Sequence, residues 1–427
     1  MLLSQLVEIN EKAIVASSVN FKLMDDQQIN QLLCEGFIFN YNSQNSKIST
    51  VGLLDILRRS YHSRNEPNIH LMIQDYGKGK SHFAVVIANY FKQSYNSPEV
   101  QGILHQIEMA TTEKKGNLAE ELRLYKQNQR DQHLVICLSG DRGGDLKKQF
   151  LQTLLTILEE EGVYDSFAQH ICSEPLRYLE SLSPEDRLKA EQYLESIGNP
   201  EGDINQLIQL LKEHDSSVIS IIKKLARHLT GFYPDFQADI DLEAILENLI
   251  KNLCSGENKR FEGILILFDE LNYYLQSWAK DQIGAGGTAI QNITNICERH
   301  KGKIALLSLT QIHPSSVSNI SATTTGDYQK LASRLAPKDT TYNPESSLEL
   351  VLDNLLIQKN DTPGSQEFRK RWHGTLLAEA RTTYEKRTKI YQNKGWSLDQ
   401  FNRHLAQGCF PLHPLTSYLL CNLDFTQ

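Results

Sequence analysis

The sequence predicts an α/β fold: a mostly parallel sheet, doubly wound, with helices on its flanks. Three observations predict it. Four short apolar runs, Asn68 to Ile73, His133 to Gly140, Gly263 to Phe268 and Lys303 to Leu309, read as buried strands. Between them apolar residues recur at helical spacing, so strand and helix alternate. The chain has 427 residues, 40% of them apolar, which is enough for a sizeable core and for more than one domain.

In order along the chain, residues 1 to about 60 read as helical, from the apolar spacing in QQINQLLCEGF and VGLLDILRRSY. The Asn/Ser-rich segment from Asn40 to Ser49 reads as a loop. After the first strand a helix opens at Lys80, with Phe83, Val86, Ile87, Tyr90 and Phe91 on one face. A polar helical stretch leads to the second strand, and Leu146 to Glu161 is an amphipathic helix. Residues 162 to about 258 contain little that reads as strand. DINQLIQLLKEH and SSVISIIKKLARHL instead predict a helical insertion, bounded by the polar CSGENKRFEG. The third strand, a helix, a Gly-rich turn, a helix from Thr288 to His300 and the fourth strand follow. Beyond Pro337 comes a polar loop and then helices. The predicted organisation is a helical region over 1–62, a core over 63–345 interrupted by the insertion, and a lid-like helical region over 346–427.

Composition excludes several classes. Net charge is -8, and no Lys/Arg block is long enough to read as a nucleic-acid arm, which leaves only a local basic patch open. Seven scattered cysteines form no CxxC pair, as expected of free thiols in a reducing cytoplasm. MLLSQLVEINEK has no basic n-region, and runs such as ILILF are too short to span a bilayer, so no signal peptide and no membrane partner are expected. Histidines are dispersed, without HExxH or Cys/His pairs at ligand spacing. IGAGGTAIQ follows a helix rather than a strand, which favours a flexible loop over a dinucleotide fingerprint. FPLHPLT reads as a rigid turn that starts a packed helix, rather than as a setting for His413 as a base.

The chemistry sits at the strand ends. After IHLMI comes QDYGKGKSH, and Gly77, Gly79, Lys80 and Ser81 occupy the places of a phosphate-binding loop between a strand and a helix. Such a loop holds phosphates with backbone N–H groups and a helix N-terminus; its lysine reaches the β/γ-phosphates and its hydroxyl ligates Mg²⁺. The cofactor-binding segment is therefore Gln74, Asp75, Tyr76, Gly77, Lys78, Gly79, Lys80, Ser81 and His82. Gln74 stands where GxxxxGK[ST] has its first glycine, so the strand-to-turn junction must accommodate a side chain.

ILILFDE ends a buried strand in two carboxylates, which is costly unless they have partners or work. Asp269 is expected to hold Mg²⁺ through water, and Glu270 to orient and activate the attacking water. KIALLSLTQ ends in Thr310 and Gln311, either of which can lie beside the γ-phosphate and the water, or simply end a strand. Arg334 in YQKLASRLAP comes where an arginine finger would, and equally where a helix C-terminus favours a cation.

These residues, with VICLSGDRGGDL, AIQNITNICERHKGKIALLSLTQIHPS and CFPLHPLTSYLLCNL, carry a resemblance. The chain resembles the large P-loop (AAA+-like) ATPases of bacterial phage-defence islands, notably the ATPase component of BREX systems and its relatives. The motifs match in order over most of the chain; the insertion carries none of the match. The resemblance implies an AAA+-like ATPase module coupled to an assembly acting on DNA, with Lys80 and Ser81 on phosphate and Mg²⁺, and Asp269 and Glu270 as the Mg²⁺ and catalytic acids. It implies ATP and Mg²⁺ as ligands, protein partners in a defence complex, DNA contacted through that complex, and further copies of the chain. Two departures stand out: Gln74, and a chain that stops eleven residues beyond Thr416 where the family's members are usually much longer. A short member or an N-terminal part is expected. The alternative expectation is a nucleotide-gated scaffold, or a STAND-type signalling switch, with little turnover.

Overall fold

The computed structural model describes residues 2–10, 18–42, 45–111, 117–129, 132–142, 144–163, 165–198, 203–213, 218–232, 234, 242–257, 259–317, 325–345, 348–393 and 396–422. Parts of the expected N-terminal region (1, 11–17, 43–44), core (112–116, 130–131, 143, 318–324), insertion (164, 199–202, 214–217, 233, 235–241, 258) and C-terminal region (346–347, 394–395, 423–427) lie outside them.

Seven strands are described: β1 (Val7–Ile9), β2 (Ile69–Ile73), β3 (Gln132–Ser139), β4 (Phe261–Asp269), β5 (Ile304–Thr310), β6 (Thr341–Tyr342) and β7 (Leu356–Gln358). Five of them form one sheet in the order β3-β4-β5-β2-β6, every pair parallel. The four strands read from the sequence are β2 to β5 of this sheet, with β3 at one edge, and helices cover both faces.

Alternation along the strands divides the core. Leu71, Ile136, Ile264, Ile266 and Leu306 face one hydrophobic cluster, which the helices Leu146–Glu160, Leu271–Lys280 and Ala289–Arg299 complete. Met72, Val135, Leu265, Leu267 and Leu307 face the other, with the helices Gln27–Gly36, Thr50–Arg59, Lys80–Lys92 and Pro98–Thr111. Period-2 side-chain direction makes this inevitable once both faces are covered.

Between β3 and β4 the chain adds helices. Those at Asp165–Glu180, Pro184–Ser196, Ile204–Lys212 and Ile219–Thr230 share a cluster of their own around Cys172, Leu194, Leu207 and Ile222. The next helix, Leu242–Leu253, buries Leu246 and Leu249 in the sheet's own core instead.

Three short strands went unread. β6 is a two-residue edge strand beside β2 within the stretch expected to be loop. β1 and β7 pair antiparallel, Val7 opposite Gln358, which fastens the first described residues to the C-terminal region. That region has its own small core of Ala380, Tyr391, Phe401, Leu405 and Cys409, and the FPLHPLT turn carries a cis Phe410–Pro411 bond before the helix Pro414–Asn422. Among the described residues no helix is long and apolar enough to cross a membrane.

Candidate functional site

Parallel pairing puts the carboxyl ends of β2, β5 and β4 side by side, with β5 in the middle: Ile73 lies opposite Thr310, and Phe268 opposite Ser308. The loop after β2, the Asp-Glu pair that ends β4 and the Thr-Gln pair that ends β5 therefore meet at one edge of the sheet. Open parallel sheets bind ligands at that edge.

The loop leaves the sheet in register. The Gln74 N–H donates to the Thr310 carbonyl at 3.1 Å, one residue beyond the strand. Gly77 and Gly79 then take φ of 72° and 91°, left-handed values that side chains rarely adopt. A Cβ at either glycine would meet nothing within 4 Å, so backbone conformation rather than crowding demands glycine, and the space over the loop is open. Gly79 is the N-cap of helix Lys80–Lys92. The first N–H groups of that helix have no intrahelical partner and carry the positive end of its dipole.

Lys80 is buried under this turn, and its Nζ donates to the Asp75 carbonyl at 3.1 Å. Burial lowers its pKa; the carboxylates of Glu270, Asp269 and Asp75 pull it back up. Asp269 is buried too, accepting hydrogen bonds from the Ser81 side chain and, at 2.8 Å, from the Glu270 N–H. Burial raises its pKa above the ordinary carboxylate value, against the pull of those two donors and of Lys80.

Glu270 is the only non-glycine residue with positive φ among the described residues, at 54°. Strain of this kind persists where the surroundings over-determine it. Here the N–H is held by Asp269, and the carbonyl lies so close to Gly140 that a Cβ there would collide with it. The half-buried side chain accepts from Gln311, Nε2 to Oε2 at 3.1 Å. Burial and then the Asp269 charge raise the Glu270 pKa, with Lys80 and Gln311 opposing. A carboxylate with a raised pKa at an open strand end is suited to accepting a proton.

The remaining expected residues sort themselves by geometry. Thr310 is fully buried and its Oγ1 donates to the Ile312 carbonyl at 2.8 Å, so of the two residues left open at this strand end it is Gln311 that reaches Glu270. Asp75 and Tyr76 are exposed at the loop tip and Lys78 is half-buried within it. The His82 ring turns away: its Nε2 lies 2.7 Å from the Leu33 carbonyl and the ring meets Phe37 edge-on. Only the His82 main chain remains at the helix N-terminus. The Gln74 amide also leaves the cradle, and donates to the Pro344 carbonyl at 3.1 Å. Arg334 lies apart, exposed in the last turn of helix Thr325–Leu335, with its Nη1 donating to Asn295 Oδ1 at 2.9 Å.

Three neighbours were not assigned from sequence. Gly140 makes room for the Glu270 carbonyl, and the Asp141 charge raises the pKa of both Asp269 and Glu270. SGDRGG at the end of β3 was the available signal. Asn272, two residues beyond Glu270, is buried with its Oδ1 unpartnered among the described residues; nothing in its sequence context marks it.

Among the described residues no group of three or more His, Cys, Asp or Glu gathers as a metal cage. A hydroxyl and one carboxylate, Ser81 and Asp269, suit a cation that keeps several waters and takes its other ligands from phosphate, as Mg²⁺ does. No protein-family model matches the chain, and no curated protein matches it.

Proposed function

We propose that the chain binds MgATP at the loop Gln74 to Ser81 and hydrolyses it, as an AAA+-like P-loop ATPase that powers or gates a larger assembly. One observation carries the reading: Lys80, Ser81, Asp269, Glu270 and Gln311 converge at a single sheet edge beneath a left-handed glycine turn. The turn and the helix N-terminus would hold the phosphates, and Lys80 would exchange the Asp75 carbonyl for a phosphate oxygen. Ser81 and Asp269 would hold Mg²⁺, which neutralises phosphate charge. Glu270 would take the proton of the attacking water, with Gln311 fixing the direction of its carboxylate. The further assignment, to an assembly defending bacteria against phage or foreign DNA, rests on the resemblance in motif order; Arg334, exposed on its helix, would then exchange its Asn295 bond for the site of a neighbouring copy.

The experiment is ATP binding and steady-state turnover by the wild type, Lys80→Ala and Glu270→Gln. Glu270→Gln is expected to keep nucleotide and to lose turnover by about 10²–10⁴-fold, the usual contribution of a positioned base. Lys80→Ala is expected to lose both. Turnover equal to wild type in both variants overturns the assignment.

A second reading has an observation of its own. The Gln74–Pro344 bond ties the loop to the root of the C-terminal region, as a nucleotide-gated switch with little turnover would require. Tight MgATP binding with negligible hydrolysis by the wild type, with partners and DNA present, selects it.

A further inference from the structure

The helix Pro363–Lys386 is the longest described, 24 residues, or about 36 Å at 1.5 Å per residue. Both of its ends are anchored. Thr362 caps its N-terminus and donates to the Gln5 carbonyl at 2.6 Å; one turn in, the Phe368 ring meets Phe410 at 5.3 Å. Toward the other end Ala380 and Tyr384 join the small C-terminal core. Between these anchors every residue from Arg369 to Thr375 is exposed, so about two turns present solvent-accessible side chains in every direction.

The sequence of that clear stretch is RKRWHGT. Neighbouring side chains on a helix point about 100° apart, so Arg369, Lys370 and Arg371 fan over more than half the circumference. The Arg371 guanidinium lies 5.3 Å from the exposed Trp372 ring, and Arg369 also bonds the Asn360 side chain. From Pro363 to Lys386 the helix has five Lys/Arg against three Glu, and three of the five cations are consecutive in the clear stretch, on a protein whose net charge is -8. The clear stretch is thus a local cationic patch on an acidic body.

We propose that Arg369 to Thr375 is a contact for duplex DNA, with the helix laid in the major groove. Cations on opposite sides of a helix are satisfied together only where anions flank both sides. The major groove admits an α-helix and places a phosphate strand on each side. A membrane surface needs an apolar face to bury, and here Trp372 is the only large apolar side chain in the clear stretch. An acidic protein surface meets one side and leaves the other cations unused. The deep, narrow major groove of duplex RNA excludes the helix. The contact does not depend on nucleotide, and it lies in this chain itself rather than in an assembly around it.

The test is fluorescence anisotropy of the full chain, without nucleotide, on a labelled duplex of about 20 base pairs of mixed sequence, roughly two helical turns. Wild type is expected to bind with a Kd of about 10⁻⁴–10⁻⁶ M at physiological salt, tightening as salt falls. Lys370→Glu with Arg371→Glu is expected to weaken binding at least about tenfold and to flatten the log–log salt slope by about 2. The pair Lys370→Arg with Arg371→Lys should restore it, and Lys80→Ala should bind DNA as wild type does. Thermal melting of the charge-reversed pair checks folding; should it misfold, Lys370→Gln with Arg371→Gln takes its place. No duplex binding by wild type, or binding unchanged by the substitutions, overturns the proposal. So does tighter binding to duplex RNA, to single strands or to anionic vesicles of phosphatidylserine.

Discussion

The two ends of the sheet both bury titratable groups, and only one of them reads as a site. At the amino end, Lys126 is almost wholly buried; its Nζ lies 3.5 Å from the Phe91 carbonyl, 3.3 Å from Gln129 Oε1 and over the Tyr90 ring. His133, at the start of β3, is equally buried, with Nδ1 2.9 Å from the Gln129 amide. Burial pushes the Lys126 pKa down to about 7 and that of His133 well below its usual value. At the carboxyl end, Lys80 faces the opposing pull of Glu270, Asp269 and Asp75, and the two acids answer each other and Lys80. Lys126 and His133 have neutral partners there, and burial disfavours the charged form of each. The carboxyl end holds a mutually charged set under a turn of left-handed glycines. Burial marks both ends, whereas opposed charges at open strand ends mark the one where chemistry is expected.

The sharpest way to break that comparison is to neutralise one lysine at each end. Lys80→Met is expected to reduce ATP turnover by about 10²–10³-fold, as loss of one positioned transition-state donor does. Lys126→Met should leave kcat and KM as in wild type. Equal losses at both ends, or a loss only at Lys126, would remove the distinction.

Stability against pH separates the ends differently. With its pKa lowered to about 7, Lys126 releases a proton on folding that the unfolded chain keeps up to the ordinary lysine value of 10.5. The unfolded state therefore binds more protons across that window, and stability rises with pH through it, by an amount on the order of a few kcal/mol. Denaturant unfolding of Lys126→Met should lack that rise. If wild type and variant run parallel over the window, the lysine is not held as described.

At the carboxyl end the sign is opposite. The raised pKa of Asp269 means that the folded state holds its proton more tightly than the unfolded one. Its favourable contribution is complete below the unfolded carboxylate pKa and is lost as pH rises through the folded value, leaving a penalty at neutral pH. Asp269→Asn keeps an oxygen for the Ser81 and Glu270 donors, and is expected to melt higher than wild type near neutrality. The advantage should shrink as pH falls toward the carboxylate range. A lower Tm at every pH would mean that the charge stabilises the fold rather than serving a ligand.

Sequence legibility followed the same divide. The convergence of Lys80, Ser81, Asp269 and Glu270 was legible because all four stand at the ends of strands or just after them, and strands buried on both faces read as unbroken apolar runs. Thr341–Tyr342 is too short to show any period, and the pairing of Val7–Ile9 with Leu356–Gln358 spans nearly the whole chain, so neither strand was readable locally. The choice between Thr310 and Gln311 turned on side-chain direction. The need for glycine at Gly140 comes from a carbonyl 130 residues away in sequence, at Glu270. Exposure round the whole helix at RKRWHGT depends on tertiary placement, which composition averaged over an acidic chain conceals.

Gln74 is the subtlest case, because its departure from glycine turned out to have a partner. Its side chain reaches Pro344, and the adjoining residues are held from elsewhere: the Asn343 N–H donates to Lys47, the Glu345 N–H to Ile48, and the Asn40 amide to the Glu345 carbonyl at 2.9 Å. The loop, the N-terminal segment and the root of the C-terminal region thus meet at one point. Gln74→Ala removes one neutral hydrogen bond, of about 0.5–1.5 kcal/mol, so nucleotide affinity should change by no more than about tenfold and kcat little. Amide exchange at Asn343 and Glu345, whose N–H groups are the ones held, should quicken in the variant and should lose its response to MgATP. Gln74→Gly tests the simpler idea that the side chain only obstructs the turn. If glycine tightens nucleotide binding while exchange at Asn343 and Glu345 stays as in wild type, Gln74 is an obstruction. If exchange quickens in both variants, the residue ties the loop after β2 to the C-terminal region, and a side chain in place of glycine is how that tie is made.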